Sequence, residues 1–194
     1  MSFNEGENSQ WEGEEPTSLA TELVDQGLVK EGTHLLDLGC GFGRNSNWLA
    51  SKGAVVDAIN IKEEELIEAK KRATQQGVNV NYVKADAGEL PFTDSSMDVV
   101  LDAGCTHMCD EQTQKKSVVE AVRVLKPGGY IQFFGFSKEH PTYKTNPSSA
   151  QFRDLEDIKK QYGEYFEIVG EPKTKKWEQN GVVHVGLEVL MKKK

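Results

Sequence analysis

A mostly parallel α/β sheet, covered by helices on both faces and closed by an antiparallel pair, is the fold class that this 194-residue sequence predicts. Three observations carry it. Short apolar strand-like runs alternate with helical stretches of about ten to fifteen residues. The run "LLDLGCGFGRN" sets Gly39, Gly41 and Gly43 between the first such strand and a helix. The final strand-like runs, "YFEIVGEP" and "VVHVGLEVLMK", are separated only by "KTKKWEQNG", a link too short for a parallel crossover. The length suits one domain with a single core.

Residues 1–16 lack periodicity and read as an N-terminal arm containing Trp11, with the domain occupying 17–194. In "PTSLATELVDQGLVKEG", Leu19, Leu23, Val24 and Leu28 share one helical face. The strand "HLLDLG" and helix "RNSNWLASKG" follow, then the strand "AVVDAIN" and the helix "KEEELIEAKKRATQQG". Next come the strand "VNYVKAD", the loop "AGELPFTDSS", the strand "MDVVLDAG" and the helix "EQTQKKSVVEAVRVL". Pro127, Gly128 and Gly129 turn the chain into the strand "YIQFFGF". "AQFRDLEDIKKQYG" reads as a helix before the closing pair.

The formal net charge of −8 argues against a nucleic-acid partner, since that affinity rests on Lys and Arg. The basic runs, "KTKK" at Lys173–Lys176 and the terminal "KKK", read as solvated ends. Cys40, Cys105 and Cys109 do not form a disulfide framework. The polar, acidic start resembles neither a signal nor a transit peptide, and no apolar run approaches the roughly 20 residues that cross a bilayer. A reduced, cytoplasmic protein without a membrane partner is the expectation.

Glycines between a strand and a helix let a ligand touch backbone N–H groups. A dinucleotide site wants G-x-G-x-x-G, but Arg44 stands where the third glycine would fall. "DLGCGFG" instead resembles motif I of the class I S-adenosylmethionine (SAM) methyltransferases. "VKADAGELPFTDSSMDVV", "RVLKPGGY" and the antiparallel ending are similar to later family segments, in the same order, from Leu19 to Met191. The resemblance implies a single Rossmann-like three-layer domain whose seven-stranded sheet has the order 3-2-1-4-5-7-6. It implies SAM as cofactor, with Asp37, Gly39, Cys40, Gly41 and Gly43 beside its methionyl part. Asp86 and Ala87 would meet the adenine, while Asn60 and Ile61 would lie at the ribose and ring. A narrower similarity, to small-molecule enzymes of the thiopurine, thiol/halide and tellurite type, implies a small-molecule acceptor. Those relatives carry an Arg where this chain has Ala103.

"DAGCTHMCD" ends the fourth strand beside the crevice where such sheets bind ligands. His107 is its best-placed titratable group and candidate base. Asp102 is a candidate to orient cofactor or acceptor, or to cap the next turn. Cys105, His107 and Cys109 do not complete a metal site, and no metal is expected. His140 and Tyr143 are candidate acceptor contacts; His34 and His184 read as structural.

The family ends its second strand in an acid that grips the ribose. Asn60, 21 positions after Gly39, takes that place. Asp57 lies three residues earlier, on the other face and about 10 Å back. Either a bulge reorganises the strand end or the amide binds ribose as a neutral group; Asn60→Asp is then expected to tighten SAM binding. A SAM- or nucleoside-binding protein without transferase activity, and a transferase with a modified donor, are the alternatives.

Overall fold

The computed structural model describes residues 13–145, 151–179 and 181–194. Most of the predicted arm, including Trp11, lies outside the described residues. Helix α1 (Ser18–Asp25) begins on Thr17, whose side chain accepts from Ala20 N. The chain then alternates β1 (His34–Leu38), α2 (Arg44–Ser51), β2 (Val55–Asn60), α3 (Glu63–Gln76) and β3 (Val80–Lys84). It continues through β4 (Met97–Ala103), α4 (Glu111–Val124), β5 (Leu125–Ser137), β6 (Phe152–Arg153) and α5 (Leu155–Tyr162). β7 (Phe166–Ile168), β8 (Lys173–Gln179) and β9 (Val182–Lys193) follow.

The main path of the sheet is β3-β2-β1-β4-β5-β9-β7, with β6 beside β5 and β8 beside β9. With β9 and β7 as the last two strands, this reproduces the expected 3-2-1-4-5-7-6 order. From β3 to β5 the neighbours are parallel, and β9 runs antiparallel to β5, β7 and β8. The predicted count of seven is corrected to nine. "KTKKWEQ", read as a link, is strand β8, and the start of the predicted last helix contributes the short β6. The long β9 therefore pairs with two successive partners, β7 through Met191–Lys193 and β8 through Val182–Glu188.

Successive residues of a strand face opposite sides of a sheet, and this divides the core in two. Leu36, Val100, Ile131 and Phe133 pack with Val118 of α4 and Ile158 and Tyr162 of α5. Leu35, Val99 and Leu101 pack on the other face with Leu19 and Leu23 of α1, Leu49 of α2 and Leu66 and Ala69 of α3. The result is three layers.

Helix α2 buries Asn45, Ser46 and Asn47, a polar surface that is stable only with partners. Asn45 Oδ1 accepts from Thr17 N at 2.9 Å and from Thr17 Oγ1 at 3.0 Å, which ties down the start of α1. Ser46 Oγ donates to Asp37 Oδ2 at 2.6 Å. Asn47 Oδ1 accepts from Tyr82 Oη at 2.7 Å. The "KTKK" run is not a solvated end: Lys173 and Lys175 pair with Glu22 of α1, and Lys175 Nζ lies 3.3 Å from the buried Glu188. No helix among the described residues is long and apolar enough to cross a membrane.

Candidate active site

The chain leaves β1 on one side toward β2 and β3, and on the other toward β4 and β5. A crevice opens where the strand order reverses, at the C-terminal ends of β1 and β4. The glycine turn lies there, and its three glycines have left-handed φ values of 64°, 52° and 79°. Their surroundings differ. A Cβ on Gly39 would collide with the side chain of Cys105, and one on Gly43 with Tyr82 Oη and Ala69. A Cβ on Gly41 would meet nothing nearer than Glu65 Oε2, at 3.8 Å. Gly39 and Gly43 are needed for packing, while Gly41 presents bare backbone to open space.

Asp37 lies beneath this turn, 2% exposed. Burial pushes its carboxyl up to about 7; the nearby Asp102 adds to the rise, and Ser46 and Arg44 oppose it. A buried carboxylate of this kind gains from a cationic partner. Cys40, the predicted small filler, is buried, and desolvation together with Asp37 drives its thiol far above the ordinary range. A thiol held protonated in this way is poorly suited to nucleophilic attack.

Asn60 ends β2, 9% exposed. The following Ile61 is 64% exposed, an apolar side chain held open at the rim. Asp86, beyond the end of β3, is exposed; its Oδ1 accepts from Gly88 N at 2.7 Å, which shapes the turn carrying the buried Ala87. The predicted cofactor residues thus stand along the C-terminal ends of β1, β2 and β3.

Asp102, read as an orienting group or a turn cap, lies near the end of β4. It is fully buried, and its carboxylate accepts from Cys105 N at 3.0 Å, Thr106 N at 3.1 Å and Thr106 Oγ1. These bonds fit the turn-capping alternative, holding the chain that leads into the 3-10 turn Thr106–Met108. Burial raises its pKa against these hydrogen bonds.

His107, the candidate base, follows in the 3-10 turn. It is 2% exposed, and neither ring nitrogen has a protein partner. Desolvation, with Arg153 nearby, lowers its pKa to about 3, so the ring is neutral at physiological pH. Phe136 packs edge-on at 4.9 Å between ring centres, and β5 passes so close that a Cβ on Gly135 would press on His107.

A cluster that the sequence did not reveal surrounds Phe136. His140 Nε2 lies 3.0 Å from His184 Nδ1, and His140 Nδ1 accepts from Thr142 N at 3.1 Å. That acceptor role puts the His140 proton on Nε2, so His184 Nδ1 accepts and its Nε2 carries the outward N–H. Trp177 stacks on His184 at 5.2 Å, with the ring planes 14° apart. His184, read as structural, belongs to this cluster with the expected acceptor contact His140, and Tyr143 joins it through Phe152. No sequence signal linked residues 44 positions apart.

The sequence family described as "Methyltransferase domain" matches residues 36–133, half of the chain. "Methyltransferase GfsG" of Streptomyces halstedii is 36% identical over 123 residues, covering 61% of this chain and 42% of that protein. A "Ubiquinone biosynthesis O-methyltransferase" of Coxiella burnetii is 25% identical over 168 residues, covering 86% of this chain and 68% of its own. The chain thus spans less than half the length of the first of these relatives. The crystal structure of a SAM-dependent methyltransferase from Methanosarcina mazei superposes with a TM-score of 0.73 at 25% identity, covering 88% of this chain and 96% of that one. None of these three is named for the thiopurine, thiol/halide or tellurite branch. Sheet order, glycine turn and sequence match agree, and the chain belongs to the class I SAM-dependent methyltransferase family.

Proposed function

We propose that the protein transfers a methyl group from SAM to a small-molecule acceptor. The observation that carries this reading is the bare backbone of Gly41 above the buried Asp37, in line with Asn60 at the end of the next strand. These residues fit SAM: a zwitterionic amino-acid end suits the buried carboxylate and open amides, and a nucleoside suits the polar strand end beside exposed Ile61. Bound there, SAM supplies an activated methyl whose transfer leaves S-adenosylhomocysteine. Asp37 holds the ammonium, Gly41 admits the methionyl backbone, and Ile61, Asp86 and Ala87 receive the adenine.

Much of the rate in an in-line displacement comes from alignment. The acceptor wall is assigned to His107 and the Phe136 cluster. Neutral His107 offers one donor and one acceptor that a bound polar group would satisfy. With a pKa of about 3, it is a weak base at neutral pH, which suits acceptors that arrive as anions or with a free lone pair. A relative named for ubiquinone biosynthesis supports a metabolite-sized acceptor, and the net charge of −8 disfavours nucleic acid.

The deciding experiment has two parts, calorimetry with S-adenosylhomocysteine and its release across a panel of thiols, phenols, amines and halides. Micromolar binding with turnover of one class is expected; binding without turnover of any would favour a binding protein. With an acceptor in hand, His107→Phe is expected to raise its KM about tenfold, the scale of one lost hydrogen bond. S-adenosylhomocysteine affinity should stay within twofold, and the pH–rate profile between 6 and 9 should keep its shape.

A further inference from the structure

We infer that Glu65, in the first turn of α3, supplies the acid that grips the ribose hydroxyls, and that Asn60 positions it. The inference rests on the SAM-binding reading above. β2 keeps continuous register with β1 and β3 up to Asn60, which pairs with Lys84. No bulge therefore brings Asp57 forward, and its Oδ1 accepts from Asn81 Nδ2 at 2.6 Å instead. Asn60 is not a free amide either. Its Oδ1 accepts from Ile61 N at 3.1 Å, and its Nδ2 donates to Glu65 Oε2 at 2.6 Å.

Glu65 differs from the two acids before it. Glu63 and Glu64 are exposed, and Glu63 is drawn off to Lys84 at 3.0 Å. Glu65 turns inward with a side chain 22% exposed, and the oxygen that Asn60 holds is the nearest atom to the open side of Gly41. The carboxylate stands between strand end and glycine turn, where a nucleoside bound along the crevice presents its sugar. A vicinal diol brings two O–H donors, and a carboxylate can accept both. Its Oε1 faces Lys62 Nζ at 3.0 Å, an ion pair whose lysine is 63% exposed; such pairs are weak, so sharing that oxygen costs little.

This reverses the expectation for Asn60→Asp. A carboxylate there would face Glu65 at hydrogen-bonding distance without the N–H that now joins them, and the two charges would repel. Calorimetry with S-adenosylhomocysteine and its 2′,3′-dideoxyribose analogue tests the assignment, with thermal denaturation checking that each variant is folded. Glu65→Gln is expected to weaken the ribose ligand 10- to 50-fold and the dideoxy ligand less than threefold, since the lost contact is a charge-assisted one. Asn60→Asp is expected to weaken the ribose ligand at least fivefold. The double variant Asn60→Asp/Glu65→Gln, with the acid moved to the strand end, is expected to return within threefold of wild type. Equal losses for both ligands, no loss in Glu65→Gln, or tighter binding in Asn60→Asp would each overturn the role of Glu65. Wild-type protein that binds neither ligand overturns the SAM reading itself, and the assignment with it.

Discussion

Gly41→Ala is expected to yield a folded protein that has lost S-adenosylhomocysteine binding by at least 100-fold, while Gly43→Ala is expected to lower Tm by about 6–24 °C. Both positions have left-handed φ, at 52° and 79°, and an added Cβ costs about 1–2 kcal/mol at either. In a domain of this size that lowers Tm by only about 2–8 °C. The neighbours separate the two. At Gly41 the Cβ projects into open space, so the fold survives and the methyl occupies the path proposed for the methionyl backbone. At Gly43 it strikes Tyr82 and Ala69. Moving Tyr82 also breaks its hydrogen bond to Asn47, which holds α2 against β3. Overpacking adds about 1–3 kcal/mol and the lost bond about 1 more, a large share of the 5–15 kcal/mol that holds a domain together. Differential scanning fluorimetry and calorimetry on the two variants separate the outcomes. A Gly41→Ala protein that binds normally would remove the glycine turn from the site.

Asp37→Asn is expected to trade binding for stability, in a pH-dependent way. The folded chain holds the Asp37 proton more tightly than the unfolded chain, about 7 against 3.8. The resulting stability is fully present below about pH 4 and is lost as pH rises toward 7, at about 1.4 kcal/mol per unit and about 4 kcal/mol in all. Above pH 7 the wild type carries a buried carboxylate whose desolvation Ser46 and Arg44 offset only in part. The amide removes that penalty, so Asp37→Asn should raise Tm by several degrees at pH 8 and leave it level or lower at pH 5. Binding moves the other way. In the proposed placement the SAM ammonium prefers ionised Asp37, so wild-type affinity should climb between pH 5.5 and 7.5, whereas the variant should bind 10- to 100-fold more weakly at pH 7.5 with a flat profile. A variant that keeps the wild-type pH dependence would place the ammonium elsewhere.

The layer order and the glycine turn were legible because they rest on periodicity and on residues of fixed conformational meaning. Gly39, Gly41 and Gly43 mark a strand-to-helix turn in any context, and the alternation of β1 to β5 needs no long-range knowledge. Where packing between distant residues decides, the sequence was silent. "KTKKWEQ" lacks an apolar face, because Lys173 and Lys175 meet carboxylates across the sheet where an ordinary strand would present aliphatic side chains. β6, two residues long, carries no period at all. Asp102 and His107 stand where the resemblance directs attention, yet their roles depend on burial, which spacing does not encode. The contact of Glu65 with Asn60 was not legible either, because the carboxylate reaches the strand end from the next helix.

The pairing of β9 also bears on how the protein is made. Strand β9 lies inside the sheet, between β5 and β7, and buries Val185, Leu187, Val189 and Met191. Until residues 182–193 have been synthesised, Ile131 and Phe133 lack their cover and β5 offers an open row of N–H and C=O groups to any passing strand. A chain lacking β9 therefore presents an aggregation-prone edge. A chain stopped at Gly181 should collect in inclusion bodies, and supplying β9 as a separate peptide during refolding should recover soluble protein.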